Sequence, residues 1–240
     1  MRPFATARGP RRWLYDRSRR RLARQVIAGS GIEIGALNSP FPVPPAARVR
    51  YLDRLTTEQL RIEYPELGGE PLVPVDLVDD GEALTKLEKR SQDFVIASHF
   101  LEHCEDPIGT LEAHLRVLRP GGTLLLALPD RRRGIDRHRE PTSLAHLIAD
   151  HECGPETSRE EHYREWARLV DLPLGNVRAG LVEVHASSMR QRGYRIHFHC
   201  WTPDEFAGQL RQLIERYELP GAFVQQRRNQ HEFLLALRRT

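Results

Sequence analysis

From Asp93 to Pro129 the chain alternates between unbroken apolar runs and runs with helical spacing. Phe94 to Ala97 is continuously apolar, the pattern of a strand covered on both faces of a sheet. Asp106-Pro107 sets a helix start, an N-cap acid followed by proline at the first helical position. Ile108, Leu111, Leu115 and Leu118 then recur at 3.6 spacing, so that helix buries one stripe. Pro120-Gly121-Gly122 ends it, and Thr123 to Leu128 reads as another buried strand. Upstream, Gly31 to Ala36, Arg48 to Asp53 and Leu72 to Asp76 read as strands, with a helix over Thr56 to Tyr64. Pro40, Pro42, Pro44 and Pro45 lack the N–H a helix needs, so they bar a helix between the first two strands. Strands alternating with helices predict an α/β fold with a mostly parallel sheet.

The pattern changes after Pro129. Residues 131–196 are rich in charge and histidine, with helical stretches near 142–151, 158–170 and 180–192. Their apolar residues are too sparse to predict an independent core, so they read as an insertion. Thr202-Pro203-Asp204-Glu205 starts a further helix with a capping box. AFVQQRR and HEFLLALRR then predict two strands joined near Asn229. The expected organisation is one domain over 1–240: a basic helical segment (1–29), a first half (30–130), the insertion (131–196) and a C-terminal helix with strands (197–240).

A chain of 240 residues with 40% hydrophobic and 29% charged residues suits a soluble globular protein. No apolar run reaches the ~20 residues of a membrane span. Cys104, Cys153 and Cys200 are too scattered for a disulfide framework or a CxxC metal site and read as reduced cysteines of a cytoplasmic protein. The net charge is only +3, yet nine arginines crowd the first 24 residues against Asp16. They include Arg2, Arg8, Arg11, Arg12 and Arg19. Such a segment suits an anionic partner or a solvated helix face. Residues 10–28 can form that helix, with Trp13, Leu14, Leu22 and Val26 on its inner side. Only Lys86 and Lys89 are lysine, a bias of composition that weakens any argument from arginine abundance.

DFVIASHFLEH and VLRPGGTLLLALP, placed after GIEIGA, resemble the central half of a class I S-adenosylmethionine-dependent methyltransferase. The resemblance covers residues 30–130 well and 197–238 loosely. It implies a Rossmann-like, doubly wound, seven-stranded sheet with a C-terminal antiparallel hairpin, and an insertion lying over the active site. It implies S-adenosylmethionine as cofactor, bound beyond the carboxyl ends of the strands where strand order reverses. The first motif is matched at Glu33, Ile34 and Gly35, whereas Leu37 and Ser39 stand where further glycines usually do. Gly35 and Ala36 are then expected to lie against the cofactor. Asp53 at the tip of strand two is expected to take the ribose, and Asp76 at the tip of strand three, with Asp80 nearby, the adenine. Glu33 and, at or just past the fourth strand's end, Ser98, His99 and His103 are also expected to bind the cofactor, with backbone N–H groups of the 36–39 loop and the Ser98-His99 turn as candidates for its methionine end.

Methyl transfer from a sulfonium needs alignment and exclusion of water, and a hydroxyl acceptor also needs a general base. DRHREPT follows strand five, and Asp136, His138 and Arg139 are its candidates to bind and deprotonate an acceptor. HFHCW puts His197 and His199 on one face if extended. His199 is a further candidate base, and Trp201 a stacking platform or core residue. Such a histidine pair with a carboxylate can begin a metal site, but spacing alone does not establish one, and no metal is assigned. Tyr163 and Trp166 are candidates to roof the pocket or to form a homodimer contact.

The leading reading is O-methylation of a sugar, glycan intermediate or other small polar acceptor. A secondary-metabolite amine or phenol is the alternative. With no recognisable RNA-binding motif, a nucleic-acid substrate is the weaker reading, as is a non-catalytic cofactor-binding protein.

Overall fold

Phe94 to Ala97 lie fully buried at the centre of a seven-stranded sheet, flanked by strands that are apolar on both faces. In this computed structural model residues 10–240 are described, with side chains from Tyr15 onward. The readings of Arg2 and Arg8, and of the side chains of Arg11, Arg12, Trp13 and Leu14, lie outside the described residues.

The strands are β1 (Ser30–Ile34), β2 (Arg48–Asp53), β3 (Leu77–Val78), β4 (Gln92–Ser98), β5 (Leu118–Pro129), β6 (Gly221–Asn229) and β7 (Glu232–Arg239). Their order is β3-β2-β1-β4-β5-β7-β6. The first five run parallel, and β7 and β6 close the sheet antiparallel, as expected for a doubly wound α/β fold of this type. The reversal of direction along the order falls between β1 and β4, so the crevice opens beyond Ile34 and Ser98.

Alternation decides which face each residue covers. Phe94 and Ile96 face one layer with Leu125, Ala127, Leu234 and Ala236, where helix α1 (Pro10–Val26) brings Leu22, Ala23 and Val26. No helix lies between β1 and β2, as the proline run requires, and Phe41 from that loop fills the same layer. Val95, Ala97, Leu124, Leu126, Phe233 and Leu235 face the opposite layer. It is covered by α3 (Pro107–Val117) and α7 (Pro203–Arg216), with Leu147 of α4 (Leu144–Cys153). Both predicted caps form: Asp106 accepts from Ile108 and Gly109 N–H, and Thr202 with Glu205 makes a capping box. Helix α2 (Thr57–Glu63) carries a capping box of its own at Thr56.

One expectation needs correction. The third strand is not Leu72–Asp76 but the short Leu77–Val78, pairing with Leu52 and Asp53. Prolines 71 and 74 leave that stretch unable to sustain a ladder. The insertion carries only a small apolar cluster. Tyr163 and Trp166 of α5 (Arg159–Trp166) pack with Val170, with Ala186 and Met189 of α6 (Val182–Gln191), and with Ile196 and Phe198. Helix α5 runs on into one π turn over Ala167–Asp171.

Gly31 makes the β1–β4 contact possible. A Cβ there would sit 2.2 Å from the Phe94 carbonyl oxygen, a backbone atom with no freedom to withdraw. Gly31→Ala is therefore expected to cost about 3 kcal/mol, the upper part of the overpacking range, read as a lower urea midpoint. A midpoint within error of the parent would show that the two strands can separate cheaply.

Candidate active site

Each strand that ends at the crevice delivers a distinct group to it. Glu33, at the end of β1, is fully buried. Its Oε1 accepts the Phe41 N–H (2.8 Å), while Oε2 is buried with no hydrogen-bond partner. Burial pushes this carboxyl up to about 7, against the lowering effects of the Phe41 N–H and Arg19. Gly35 turns the chain at φ +66, and a Cβ on it would meet nothing closer than Phe100 at 3.9 Å. The backbone thus lies open to a ligand on that side, with Ala36 buried behind it. Asp53 ends β2 half-buried, its Oδ1 accepting the Arg54 N–H at 2.7 Å. Burial raises its carboxyl above the usual range despite that bond.

Asp76 does not stand at the tip of β3. It precedes the strand, exposed, and its Oδ2 accepts the Tyr51 N–H (2.8 Å) alongside the ladder. The tip position belongs to Asp79 and Asp80. Asp79 is buried, and its carboxylate organises the turn by accepting from Thr85 Oγ1 and from the N–H groups of Asp80 and Lys86. The exposed Asp80 caps the next turn through the Glu82 N–H. Gly81 is pressed against Ile34 and Phe100, where a Cβ would come within 2.7 and 2.8 Å of them.

Beyond β4 a chain of charged groups runs inward from the crevice. His99 adopts φ +52 and places its Nε2 2.9 Å from Glu232 Oε2 and its Nδ1 3.4 Å from Glu102 Oε1. Both carboxylates are fully buried, whereas the His99 side chain is 22% exposed. Arg19 closes the far side, donating twice to Glu232 (2.9 and 2.6 Å) and to Ser98 Oγ (3.1 Å). Tyr15 and Asn229 complete the set around the same carboxylate. Burial alone would lower the His99 pKa, but bonds to and charges on Glu102 and Glu232 outweigh it and lift it to about 9. Glu232 is correspondingly held well below the usual carboxylate range, its own burial outweighed by Arg19 and His99.

The insertion meets this rim through a second buried cation. Arg139 uses all five of its N–H donors: two to Glu165, one to Asp136 (2.8 Å), and one each to the His197 and Phe198 carbonyls. Asp136 is buried and also accepts from His197 Nδ1 at 2.7 Å. It therefore orients a histidine and neutralises an arginine. His138 faces outward, exposed, with its Nε2 taken by Arg137 Nε (3.1 Å), so the base expected there is a surface residue. His103, just past β4, is half-buried, its Nδ1 donating to the Ile196 carbonyl (2.7 Å) and its ring edge-on to His197. His199, expected near the acceptor, is fully buried and turns toward Asp150, away from the His103–His197 pair. Tyr163 and Trp166 are buried in the insertion's own cluster and so do not form an open roof. Trp201 is likewise core.

Arg19 and Glu232 were not anticipated as site residues. Arg19 was one of nine arginines in a row of basic residues. The signal for Glu232 was present: it is a lone carboxylate opening the apolar run FLLAL.

Residues 29–126 match the family model described as a methyltransferase domain. That segment, which holds β1 to β4 and most of β5, is a methyltransferase domain of the S-adenosylmethionine-dependent class. No curated protein sequence matches it. Among solved structures, a methyltransferase from Aquifex aeolicus is 11% identical over 97% of this chain and 94% of its own, with a TM-score of 0.51. The N-methyltransferase NodS of Bradyrhizobium japonicum, solved with S-adenosylhomocysteine, is 12% identical over 99% and 92%, with a TM-score of 0.50. At these identities the likeness is one of fold.

The methyltransferase's residues suit its cofactor. S-adenosylmethionine, when bound, supplies an electrophilic methyl group on a sulfonium. The orphaned Oε2 of Glu33 offers an acceptor for the cofactor's ammonium group. The open face of Gly35 admits close backbone approach, and Asp53 offers a carboxylate to a ribose diol. Among the described residues no helix is long and apolar enough to cross a membrane.

The His99 pair has a pH signature. Its folded pKa lies above the ordinary 6.5, so its contribution to stability is complete below about pH 6.5 and is lost as pH rises through about 9. On the acid side it falls only when the depressed Glu232 carboxyl takes up a proton. The stability difference between the parent and His99→Gln, from urea titrations across about pH 5–10, should shrink above about pH 8. A difference that grows with pH would place the proton elsewhere.

Proposed function

We propose that this methyltransferase methylates a hydroxyl group of a small polar acceptor, a sugar or glycan intermediate, with His103 as the general base. The supporting observation is the cluster at the crevice rim, where a Glu102 oxygen, one nitrogen of His103 and one of His197 lie within 4.8 Å of one another. A carbonyl can only accept, so the Ile196 bond puts the His103 proton on Nδ1 and leaves the Nε2 lone pair available. Burial and the neighbouring His197 lower the His103 pKa to about 4, so the ring is neutral when an acceptor arrives. The acceptor O–H donates to Nε2, the proton moves there as oxygen attacks, and Glu102 steadies the imidazolium that forms. Asp136 fixes the His197 ring that borders this position.

A neutral amine attacks with its own lone pair and needs no such base. The fold relative NodS is an N-methyltransferase, and its likeness does not choose an acceptor for this chain. The polar groups beyond β4, Ser98 and His99 at its end and His103 a turn further on, favour a hydroxylated acceptor over an aromatic one. We assign the cofactor's ribose to Asp53, its methionine end to Glu33 and the Gly35–Ala36 turn, and its adenine to the Asp80–Gly81 turn. Ser98 and His99 border the methyl group.

Two variants test this reading separately. Asp53→Ala should weaken S-adenosylhomocysteine binding by about 10–100-fold in calorimetry, the worth of hydrogen bonds to a charged group. His103→Gln should leave that affinity nearly unchanged while lowering turnover of hydroxyl acceptors by about 10²–10⁴-fold. Methyl-labelled cofactor offered with a panel of sugars, nucleotide sugars and amines identifies the class. Transfer to amines alone, or full turnover by His103→Gln, would overturn the proposal.

A further inference from the structure

His146, Asp150, His162 and His199 come from three separate segments and aim one ligand atom each at a common point. Those four atoms all lie within 4.8 Å of one another. His146 and Asp150 sit four residues apart on α4 and so share a face; His162 is on α5, and His199 lies in the extended segment before α7. His146 Nε2 is 3.0 Å from His162 Nε2 and 3.1 Å from Asp150 Oδ2. His162 Nε2 and His199 Nε2 are each 3.8 Å from the same oxygen.

These separations bracket the edge of a tetrahedron with metal–ligand bonds of 2.0–2.1 Å, which is about 3.4 Å. Asp150 Oδ2 is buried yet makes no hydrogen bond of good geometry, although three imidazole nitrogens surround it. Its other oxygen is engaged by Ser158 Oγ, which fixes the carboxylate's orientation. The three rings stand edge-on to one another, as they must for three lone pairs to converge without stacking. His199 Nε2 has one other neighbour, the Glu105 carbonyl at 3.3 Å, a long contact that a bound cation would replace.

The geometry points to a zinc ion held by His146, Asp150, His162 and His199. Three imidazoles and one carboxylate are a borderline-soft donor set that suits zinc over magnesium or calcium, which take oxygen ligands. Four protein ligands close the coordination sphere, so the ion is structural and performs no step of the reaction. Asp150, His162 and His199 are nearly or fully buried, while the His146 side chain is 37% exposed and leaves a route for entry. The ion clamps α4 and α5 onto the 197–201 strap. That strap also carries His197, and its His199 N–H donates to the Glu102 carbonyl. This inference concerns the frame of the site and stands whatever acceptor is methylated.

The test uses the full chain purified without a histidine tag. Elemental analysis should find one zinc per chain. After chelation, Co²⁺ should give the intense visible bands of tetrahedral coordination, and Zn²⁺ should displace them and raise the melting temperature. Asp150→Asn, nearly isosteric, and His162→Ala should each bind Zn²⁺ more than about 100-fold more weakly, beyond the 10–100-fold typical of outer-shell partners. His138→Ala should bind as the parent does. A parent chain that carries no zinc and shows neither cobalt bands nor a Zn²⁺-dependent melting shift would overturn the proposal, and this readout needs no folded variant. Cobalt bands that persist in folded Asp150→Asn and His162→Ala would place the ion elsewhere and overturn it equally.

Discussion

Glu232 is a carboxylate with no access to water, at the start of a strand whose next five residues are apolar. An isolated buried charge is tolerated only when its environment supplies full compensation, and removing one partner of such a pair typically costs about 3–5 kcal/mol. Here Arg19, Tyr15, Asn229 and His99 all converge on it. That requirement fixes more than one residue. It docks α1 across the sheet although Arg19 lies more than two hundred positions away in sequence. Glu232 also bonds to His99, which sits at the rim in a left-handed conformation uncommon for a non-glycine residue. The arginine that satisfies Glu232 also reaches Ser98, so the tip of β4 is set by the same ion.

A second buried cation does for the insertion what Arg19 does for the sheet. Arg139 spends no donor on solvent and ties residue 136, α5 and the 197–198 backbone to one point. The two systems meet at Glu102, which faces His99 on one side and His103 with His197 on the other. The crevice rim is thus a junction of two independently anchored polar networks. The His103 and His197 rings gain fixed tautomers, because each Nδ1 is committed to a carbonyl or a carboxylate.

The strand limits of β2 and the caps of α3 and α7 were legible because each rests on a local signal: alternation, an Asp-Pro start, a capping box; the sheet's arrangement came only with the family resemblance. The third strand was misplaced because LVPVD has strand composition but prolines 71 and 74 deny it a ladder, leaving Leu77–Val78 as the pairing residues. Gly35 was legible from its place at a strand end, and its positive φ agrees. Asp136 and His138 were weighed together as one loop, and spacing could not tell that the first turns inward to Arg139 and the second outward. His199 and His146 are 53 positions apart, so no periodicity could unite them. Arg19 was hidden for a different reason, since eight like residues around it carry the same composition signal.

The insertion shows why buried polar staples suit this chain. Its own apolar cluster draws on eight buried side chains, two of them alanine, far less than a segment of its length needs to hold a unique structure by hydrophobic burial alone. Adding apolar residues would have placed greasy surface beside the crevice. Ionic cross-links such as that of Arg139 avoid that conflict, because they impose direction as well as attraction and leave the neighbouring surface hydrophilic. They also fix distances between helices more tightly than packed methyl groups do. A rim that must align a nucleophile with a methyl group depends on that kind of rigidity.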